Sequence, residues 1–436
     1  MKPAQIGLLG LGTVGEGTAR VLFKNAEEIA RRAGREIHVA HCCSRNKSLA
    51  EELSLTDVLT EDPFAVVNNP DVDIVVELFG GDEPARDLVM TALNNGKHVV
   101  TANKALIALH GNEIFKAAQQ KGVSVGFEAA VAGGIPIIKT LREGLAANTI
   151  EWLAGIINGT ANFILTEMRE KGSDFSSVLK EAQQLGYAEA DPTFDVEGID
   201  AAHKLTILAS IAFGIPLQFE KVSTAGITGI TSQDIQYANE LGYRFKHLGI
   251  AKRTDKGLEL RVHPTLIPKK RLIAHVNGVM NAVVIKGDAV GSTLHYGAGA
   301  GSLATASSVV ADLVDITRAL TTDSENRVPH LAFQPDSLSD LPIVADDDVA
   351  SAFYFRLRAT DESGVLAKIT GALADRDISI EAFLQKEPIQ VGDDVDIIVL
   401  TNKIQQRQIN AAIAELSGLD VIKEEITCFH VEIFND

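Results

Sequence analysis

No stretch of this 436-residue chain holds the roughly 18 uninterrupted apolar residues that a membrane-spanning helix needs. Cysteine is scarce as well: Cys42, Cys43 and Cys428 are the whole complement, and two of them are adjacent. That number and spacing neither build a disulfide framework nor match a metal-binding pattern, and they suit a reducing compartment. Basic residues are in deficit, 40 Lys plus Arg against 58 Asp plus Glu, for a net charge of −18. Such a surface repels a phosphate backbone unless a local patch intervenes. The densest patch, Lys269, Lys270 and Arg271, follows a proline and reads as a solvated turn, so nucleic acid is not an expected partner. The start, Met1-Lys2-Pro3-Ala4-Gln5-Ile6-Gly7, lacks the charged region, long apolar core and cleavage site of a signal peptide, and a cytoplasmic location is expected.

What is present is the balance of an ordinary globular protein, 46% hydrophobic and 22% charged. The length implies two or three domains. From Gln5 to about Val131, short β-rich runs alternate with helical spacing, the pattern of a doubly wound parallel sheet. Strands are expected over residues 5–9, 37–42, 74–78, 98–101 and 123–127, and helices over 13–32, 84–94 and 112–121. Residues 1–131 are therefore expected to form a Rossmann-type dinucleotide-binding domain in an α/β protein. Residues 132–320 mix strand-like and helical runs and predict an α+β substrate domain whose apolar strands offer a dimerisation surface. Residues 321–349, with prolines and a run of aspartates, predict a linker. Residues 350–436 read strand, helix, strand, strand, helix, strand: the βαββαβ order of a ferredoxin-like module.

Gly10, Gly12 and Gly15 form G-x-G-x-x-G directly after the first strand and at the opening of a helix, a context that makes a weak pattern specific. Gly10 permits the tight turn, Gly12 lets the backbone approach a pyrophosphate, and Gly15 lets helix and strand pack closely. The amides at the start of the helix, from Thr13 and Val14, then face the anion. A bare glycine turn without ligand is the bland alternative. After the second strand, Cys42-Cys43-Ser44-Arg45-Asn46-Lys47 offers no acid for the ribose hydroxyls but two cations. Arg45 can pair a 2'-phosphate, favouring NADP over NAD, or it can be an ordinary loop charge.

Lys104, in Thr101-Ala102-Asn103-Lys104, falls at the carboxyl end of the fourth strand, where open α/β sheets bind ligands; a solvated loop lysine is the alternative. Five carboxylates between Glu189 and Asp200 lead into a helix that is otherwise apolar, Leu205 to Phe213. Asp200 and Lys204 stand at i and i+4 and share one helix face. A surface pair there contributes roughly a few tenths of a kcal/mol. Inside a helix that is apolar on nearly all sides, a charge pair is costly and points instead to function. Desolvation lowers a lysine pKa toward the range where it exchanges a proton with an alcohol, and neighbouring carboxylates oppose that shift while anchoring an α-ammonium group. The pattern suits an amino acid bearing a hydroxyl. His203 reads as a core histidine.

The Gly10–Gly15 loop, Thr101-Ala102-Asn103-Lys104, the 127–136 run Phe127-Glu128-Ala129-Ala130-Val131-Ala132-Gly133-Gly134-Ile135-Pro136, Gly155-Ile156-Ile157-Asn158-Gly159-Thr160, the Glu189–Lys204 stretch and Tyr296-Gly297-Ala298-Gly299-Ala300-Gly301 together resemble homoserine dehydrogenases along nearly the whole chain. The resemblance implies reversible NAD(P)-dependent hydride transfer between L-homoserine and L-aspartate 4-semialdehyde, in threonine, methionine and isoleucine biosynthesis. It implies that Lys204 is the acid and base on the substrate oxygen and that Lys104 assists beside nicotinamide and substrate. Glu189, Asp195 and Asp200 would bind or orient homoserine, and Gly301 would close over the cofactor. A monovalent cation, usually sodium, would be held by Glu128, Val131, Gly133 and Ile135. The last domain resembles an ACT module, with Asp361-Glu362-Ser363-Gly364-Val365-Leu366-Ala367-Lys368-Ile369 as its strand-to-helix loop and threonine as the natural effector. A homodimer is the family's habit. Two other readings stand beside this one. A Rossmann dehydrogenase for another alcohol predicts no preference for homoserine, and a catalytically silent amino-acid sensor predicts loss of the two lysines, which are present.

Overall fold

Six short strands at the amino-terminal end lie parallel in a single sheet, in a computed structural model that describes residues 2–320, 328–386 and 394–434. They are β1 (Ala4–Leu9), β2 (Ile37–Cys43), β3 (Leu59–Thr60), β4 (Ile74–Glu77), β5 (His98–Thr101) and β6 (Val125–Gly126), in the order β3-β2-β1-β4-β5-β6. β4 and β5 are buried at every position, as expected of a parallel sheet covered on both faces. The strand order reverses between β1 and β4, and that switch point is where open α/β sheets hold their ligands.

The helix expected over 13–32 is two helices, Thr13–Lys24 and Ala26–Ala33. The break falls at Asn25, whose backbone (φ −109°, ψ 19°) leaves the helical region, since asparagine hydrogen-bonds locally and favours helix ends over interiors. The helix expected from 112 starts earlier, at Lys104, and runs to Lys121. Asn103 caps it, its side chain accepting from the Leu106 amide at 3.1 Å, which satisfies a donor that a helix end otherwise leaves orphaned.

By compactness the chain divides into two units built from interleaved segments. Met1–Gly159, Asp200–Val222 and Val279–Leu341 make the first. Besides the parallel sheet it contains a three-strand antiparallel ladder, in which Met280–Gly287 pairs with both Ile150–Ile156 and Gly291–Ala298, and the helices Ile199–Phe213 and Ser302–Ala319. Residues 328–341 of the expected linker are packed in this unit, where the Val125 amide donates to His330 Nε2 at 3.0 Å and the His330 ring stacks on Phe115, and residues 342–349 fall in the second unit. Residues 321–327 lie outside the described residues.

Thr160–Ile199, Ser223–Gly278 and Pro342–Asp436 make the second unit. Its long hairpin, Tyr243–Thr254 with Gly257–Pro268, pairs along its length. Thr427–Val431 joins the second arm in parallel, followed by Ala350–Ala359, Val395–Thr401 and Ile380–Gln385, all antiparallel. The expected βαββαβ order is present, with the helices Val365–Ala374 and Gln406–Leu416. Alternation along Ala350–Ala359 sends successive aromatics to opposite faces: Phe353 and Phe355 meet Ile369, Leu373 and Ile409, while Tyr354 meets Phe245 and Phe429. Among the described residues no helix is long and apolar enough to cross a membrane.

Lys246 is fully buried in the hairpin, its ammonium donating to Asn162 Oδ1 at 3.1 Å and to the Val276 carbonyl. Burial, then the charges of Arg169 and Arg244, push its pKa down to about 7. The folded state therefore binds this proton less readily than the unfolded chain, a penalty that is full below about pH 7 and relieved as pH rises toward the ordinary lysine value. Lys246→Met is expected to gain stability relative to the parent at pH 6 and to lose that advantage at pH 9, by paired thermal melts; the opposite trend would refute the burial penalty.

Candidate active site

The turn after β1 sits at the switch point. Gly10 adopts φ +100°, a conformation that L side chains rarely take. A Cβ at Gly12 would meet nothing within 4 Å, so open space lies over the backbone there. A Cβ at Gly15 would stand 2.0 Å from the Gly10 carbonyl oxygen, so this glycine lets the turn close on itself as well as opening the helix. The first bond of that helix runs from Glu16 N to Gly12 O at 2.9 Å, leaving the Thr13 and Val14 amides ahead of the ladder, at the positive end of its dipole. Gly301, at φ +125°, opens the Ser302–Ala319 helix, which packs on the first one so closely that a Cβ at Gly17 would be 2.5 Å from Ser302 O. This brings the Gly301 turn to the same end of the fold as Gly10–Gly15. Backbone amides, a helix start and open space fit a dinucleotide pyrophosphate.

Arg45 is exposed just beyond β2. Lys47 is engaged by Glu61 at 2.8 Å, so of the two cations in that loop Arg45 is the one suited to a 2'-phosphate.

Asp200, the second residue of the Ile199–Phe213 helix, is 4% exposed. Its Oδ2 accepts from Lys204 Nζ at 2.7 Å and from Asn158 Nδ2 at 2.8 Å, and its Oδ1 pairs with Lys104 Nζ at 3.1 Å. Lys204 also donates to the Ile157 carbonyl at 2.8 Å. Burial alone would raise the Asp200 pKa, but the charges of Lys204 and Lys104 and the two side-chain hydrogen bonds outweigh it and hold the group well below the usual carboxylate range. Lys204 is the more enclosed amine, its side chain 12% exposed against 35% for Lys104. His203 is buried against Phe219, ring centroids 4.4 Å apart, and burial pushes its pKa down to about 4. It is a neutral core histidine.

The structure thus brings Lys104, Asp200 and Lys204 together, and adds Asn158 and the Ile157 carbonyl. Those two had a visible signal, the strand-end run Ile157-Asn158-Gly159, but no spacing ties them to a helix beginning at Ile199. Glu189 and Asp195 belong to the second unit, Glu189 exposed with its carbonyl accepting from Gln183 and Asp195 half-buried in the short Thr193–Val196 helix. Glu128 lies in the first unit, nearly fully buried, with its carboxylate oxygens accepting from the Ile138 and Lys139 amides, both at 2.8 Å. Burial and then Asp312 push its pKa up to about 7. Val131, Gly133 and Ile135 follow in a buried loop where Ala132 and Gly133 take positive φ, 53° and 34°, and the Gly133 carbonyl accepts from Ser308 Oγ at 2.6 Å.

A switch-point glycine turn shaped for a dinucleotide, with a buried Lys-Asp-Lys cluster in the same unit, defines a nicotinamide-dependent oxidoreductase. Comparison with known proteins narrows the class. The family model for the homoserine dehydrogenase NAD-binding domain matches residues 10–128, that for homoserine dehydrogenase residues 136–314, and that for the ACT domain residues 353–418. The homoserine dehydrogenase of Pseudomonas aeruginosa is 62% identical over 435 residues, covering 100% of both chains. The crystal structure of a homoserine dehydrogenase from Thiobacillus denitrificans is 64% identical, with a TM-score of 0.95 over 100% of this chain and 99% of that one. A hyperthermophilic archaeal homoserine dehydrogenase in complex with NADPH is 28% identical, with a TM-score of 0.63 over 72% of this chain and 98% of its own. The chain belongs to the homoserine dehydrogenase family and carries a carboxy-terminal ACT domain.

The glycine geometry makes a prediction. Gly12→Ala meets open space and ordinary φ (−72°), so the melting temperature is expected to hold while dinucleotide affinity falls at least about tenfold, followed by NADPH fluorescence. Gly15→Ala is expected to lower the melting temperature as well. Tight dinucleotide binding by Gly12→Ala would show that the turn does not hold the pyrophosphate.

Proposed function

We propose that Lys204 is the acid and base in the interconversion of L-homoserine and L-aspartate 4-semialdehyde, and that Asp200 and Lys104 set its position and charge. The carrying observation is the buried carboxylate that bonds both amines. A bound nicotinamide supplies the hydride acceptor or donor. Toward the alcohol, the Lys204 ammonium gives a proton to the substrate oxygen; toward the aldehyde, the amine takes that proton back. Asp200 and the Ile157 carbonyl hold the amine in place, which limits the geometries the reacting pair must search. Lys104, at the start of its helix, stands beside substrate and nicotinamide. Glu189 and Asp195, in the stretch that resembles the family's substrate segment, bind and orient homoserine with Asp200.

Gly10, Gly12, Thr13, Val14, Gly15 and Gly301 hold the dinucleotide, with Arg45 on the 2'-phosphate of NADP; the NADPH complex of the archaeal relative supports the choice over NAD. Glu128 and the carbonyls of Val131, Gly133 and Ile135 hold a monovalent cation, taken to be sodium. Support comes from a buried carboxylate whose oxygens each keep a lone pair beyond their amide bond, beside a loop bent by two positive φ values. The ACT domain binds an amino-acid effector, threonine by the chemistry of an end product, and the enzyme works in the cytoplasm as a homodimer. The exposed Leu294 and Tyr296 on the strand Gly291–Ala298 suit subunit pairing.

The deciding experiment follows reduced-nucleotide absorbance with L-homoserine and either NADP or NAD. The parent is expected to turn over, faster with NADP. Lys204→Ala is expected to lose at least about a thousandfold in kcat while dinucleotide binding persists. A mutant that keeps its rate, or a parent inactive from neutral to alkaline pH, refutes the assignment. For the cation, sodium chloride is expected to raise the melting temperature above that in tetramethylammonium chloride of equal ionic strength, because a ligand that binds only the folded state stabilises it. Equal melting temperatures would count against the site.

A further inference from the structure

Glu77 closes β4 with its side chain fully buried, a costly place for a carboxylate that takes no part in the chemistry so far. Its Oε1 accepts from the amides of Phe79 at 2.8 Å and Gly80 at 3.2 Å, and its Oε2 from Thr101 Oγ1 at 2.6 Å. Thr101 stands directly across from it on β5. The Thr101 hydroxyl accepts in turn from the Asn103 amide at 2.9 Å. Asn103 then acts in two directions: Nδ2 donates to the Gly81 carbonyl at 2.6 Å, and Oδ1 caps the helix whose first residue is Lys104.

Both ends of this relay touch functional elements. The 78–81 loop lies against the glycine turn, where a Cβ on Gly10 would meet Phe79 Cδ1 at 3.0 Å and Leu78 O at 3.2 Å. The helix start presents Lys104 to Asp200 at 3.1 Å. Three donors converge on Glu77 from two backbone amides and one hydroxyl. A carboxylate accepts all three, whereas a glutamine in its place keeps one accepting oxygen and turns the other position into a donor that can no longer accept from Thr101.

We propose that Glu77 is a positioning residue of the hydride-transfer site: one carboxylate fixes the 79–81 loop beside the cofactor turn and, through Thr101 and Asn103, the start of the helix that delivers Lys104. The inference rests on the family's activity for its kinetic arm and on geometry alone for its structural arm.

The test compares Glu77→Gln, Thr101→Val and Thr101→Ser in the full chain. Glu77→Gln is expected to lower kcat about tenfold at saturating L-homoserine and NADP while the homoserine KM moves by less than about twofold, since Lys104 is displaced and Glu189 and Asp195 are untouched. In the ligand-free protein, amide exchange in peptides covering 78–81 and 102–107 is expected to speed up about tenfold with the rest of the parallel sheet unchanged. Thr101→Val should reproduce both effects and Thr101→Ser, which keeps the hydroxyl, should restore both. The double variant Glu77→Gln with Thr101→Val should be no slower than the worse single one, because the two act through the same bond. Unchanged kcat with unchanged exchange at 102–107, or losses that multiply in the double variant, would overturn the relay. Should Glu77→Gln fail to fold, the Val and Ser variants at Thr101 carry the same comparison. A parent that does not oxidise homoserine would refute the family activity, and exchange at 102–107 would then decide the relay by itself.

Discussion

One buried carboxylate organises the charged cluster of the first unit. Asp200 lies at the start of a helix whose remaining turns are almost wholly apolar and buried, where an uncompensated charge is prohibitive. It is tolerable because Lys204, Lys104 and Asn158 converge on its two oxygens. Removing one partner from such a buried pair costs about 3–5 kcal/mol, whereas an exposed pair contributes about 1 kcal/mol or less. The arrangement is thus poor value as a device for stability, since apolar residues would fill the same space at lower cost. What it provides is two amines held at fixed positions around one anion.

The parallel sheet supplies the frame on which that charge is hung. The order reversal between β1 and β4 leaves the glycine turn, the Glu77 loop and the Lys104 helix start on adjacent interior strands at the carboxyl end of the sheet. Each is anchored by a different device: a positive φ at Gly10, a buried acceptor at Glu77 and an asparagine cap at Asn103. These anchors are all backbone directed. Groups that act on two adjacent atoms of one substrate must be held to within about half an ångström, and side-chain contacts alone would leave the loops free to drift.

Much of this could be read from local pattern. The glycine turn was legible because strand, spacing and helix are contiguous, and Asp200 with Lys204 because i and i+4 on an apolar helix leave few other reasons for a charge pair. The order of the carboxy-terminal module was legible because alternation along Ala350–Ala359 must send Phe353 and Tyr354 to opposite faces. What escaped is set by tertiary contact. The helix that Lys104 opens was expected only from residue 112, because its apolar periodicity becomes clear only further along, although Asn103 is a strong cap. Its meeting with Asp200 has no local signature at all. The interleaved units were hidden for the same reason: the pairing of Ile150–Ile156 with Met280–Gly287 is a long-range choice between strands of similar composition. The break at Asn25 was masked by a helical pattern that continues in phase on both sides of it.

The burial that constrains Asp200 also keeps the neighbouring histidine neutral. His203 is adjacent in sequence to Lys204 and would ordinarily be the first candidate for acid and base chemistry near neutral pH. It stays neutral because burial disfavours its charged form and because the two lysines, which oppose its protonation, already neutralise the carboxylate that would otherwise favour it. The thiol of Cys42, on the cofactor sheet, is pushed up to about 12 by burial and stays protonated. Lys204, held between a carboxylate and a carbonyl oxygen, is the more enclosed amine of the cluster.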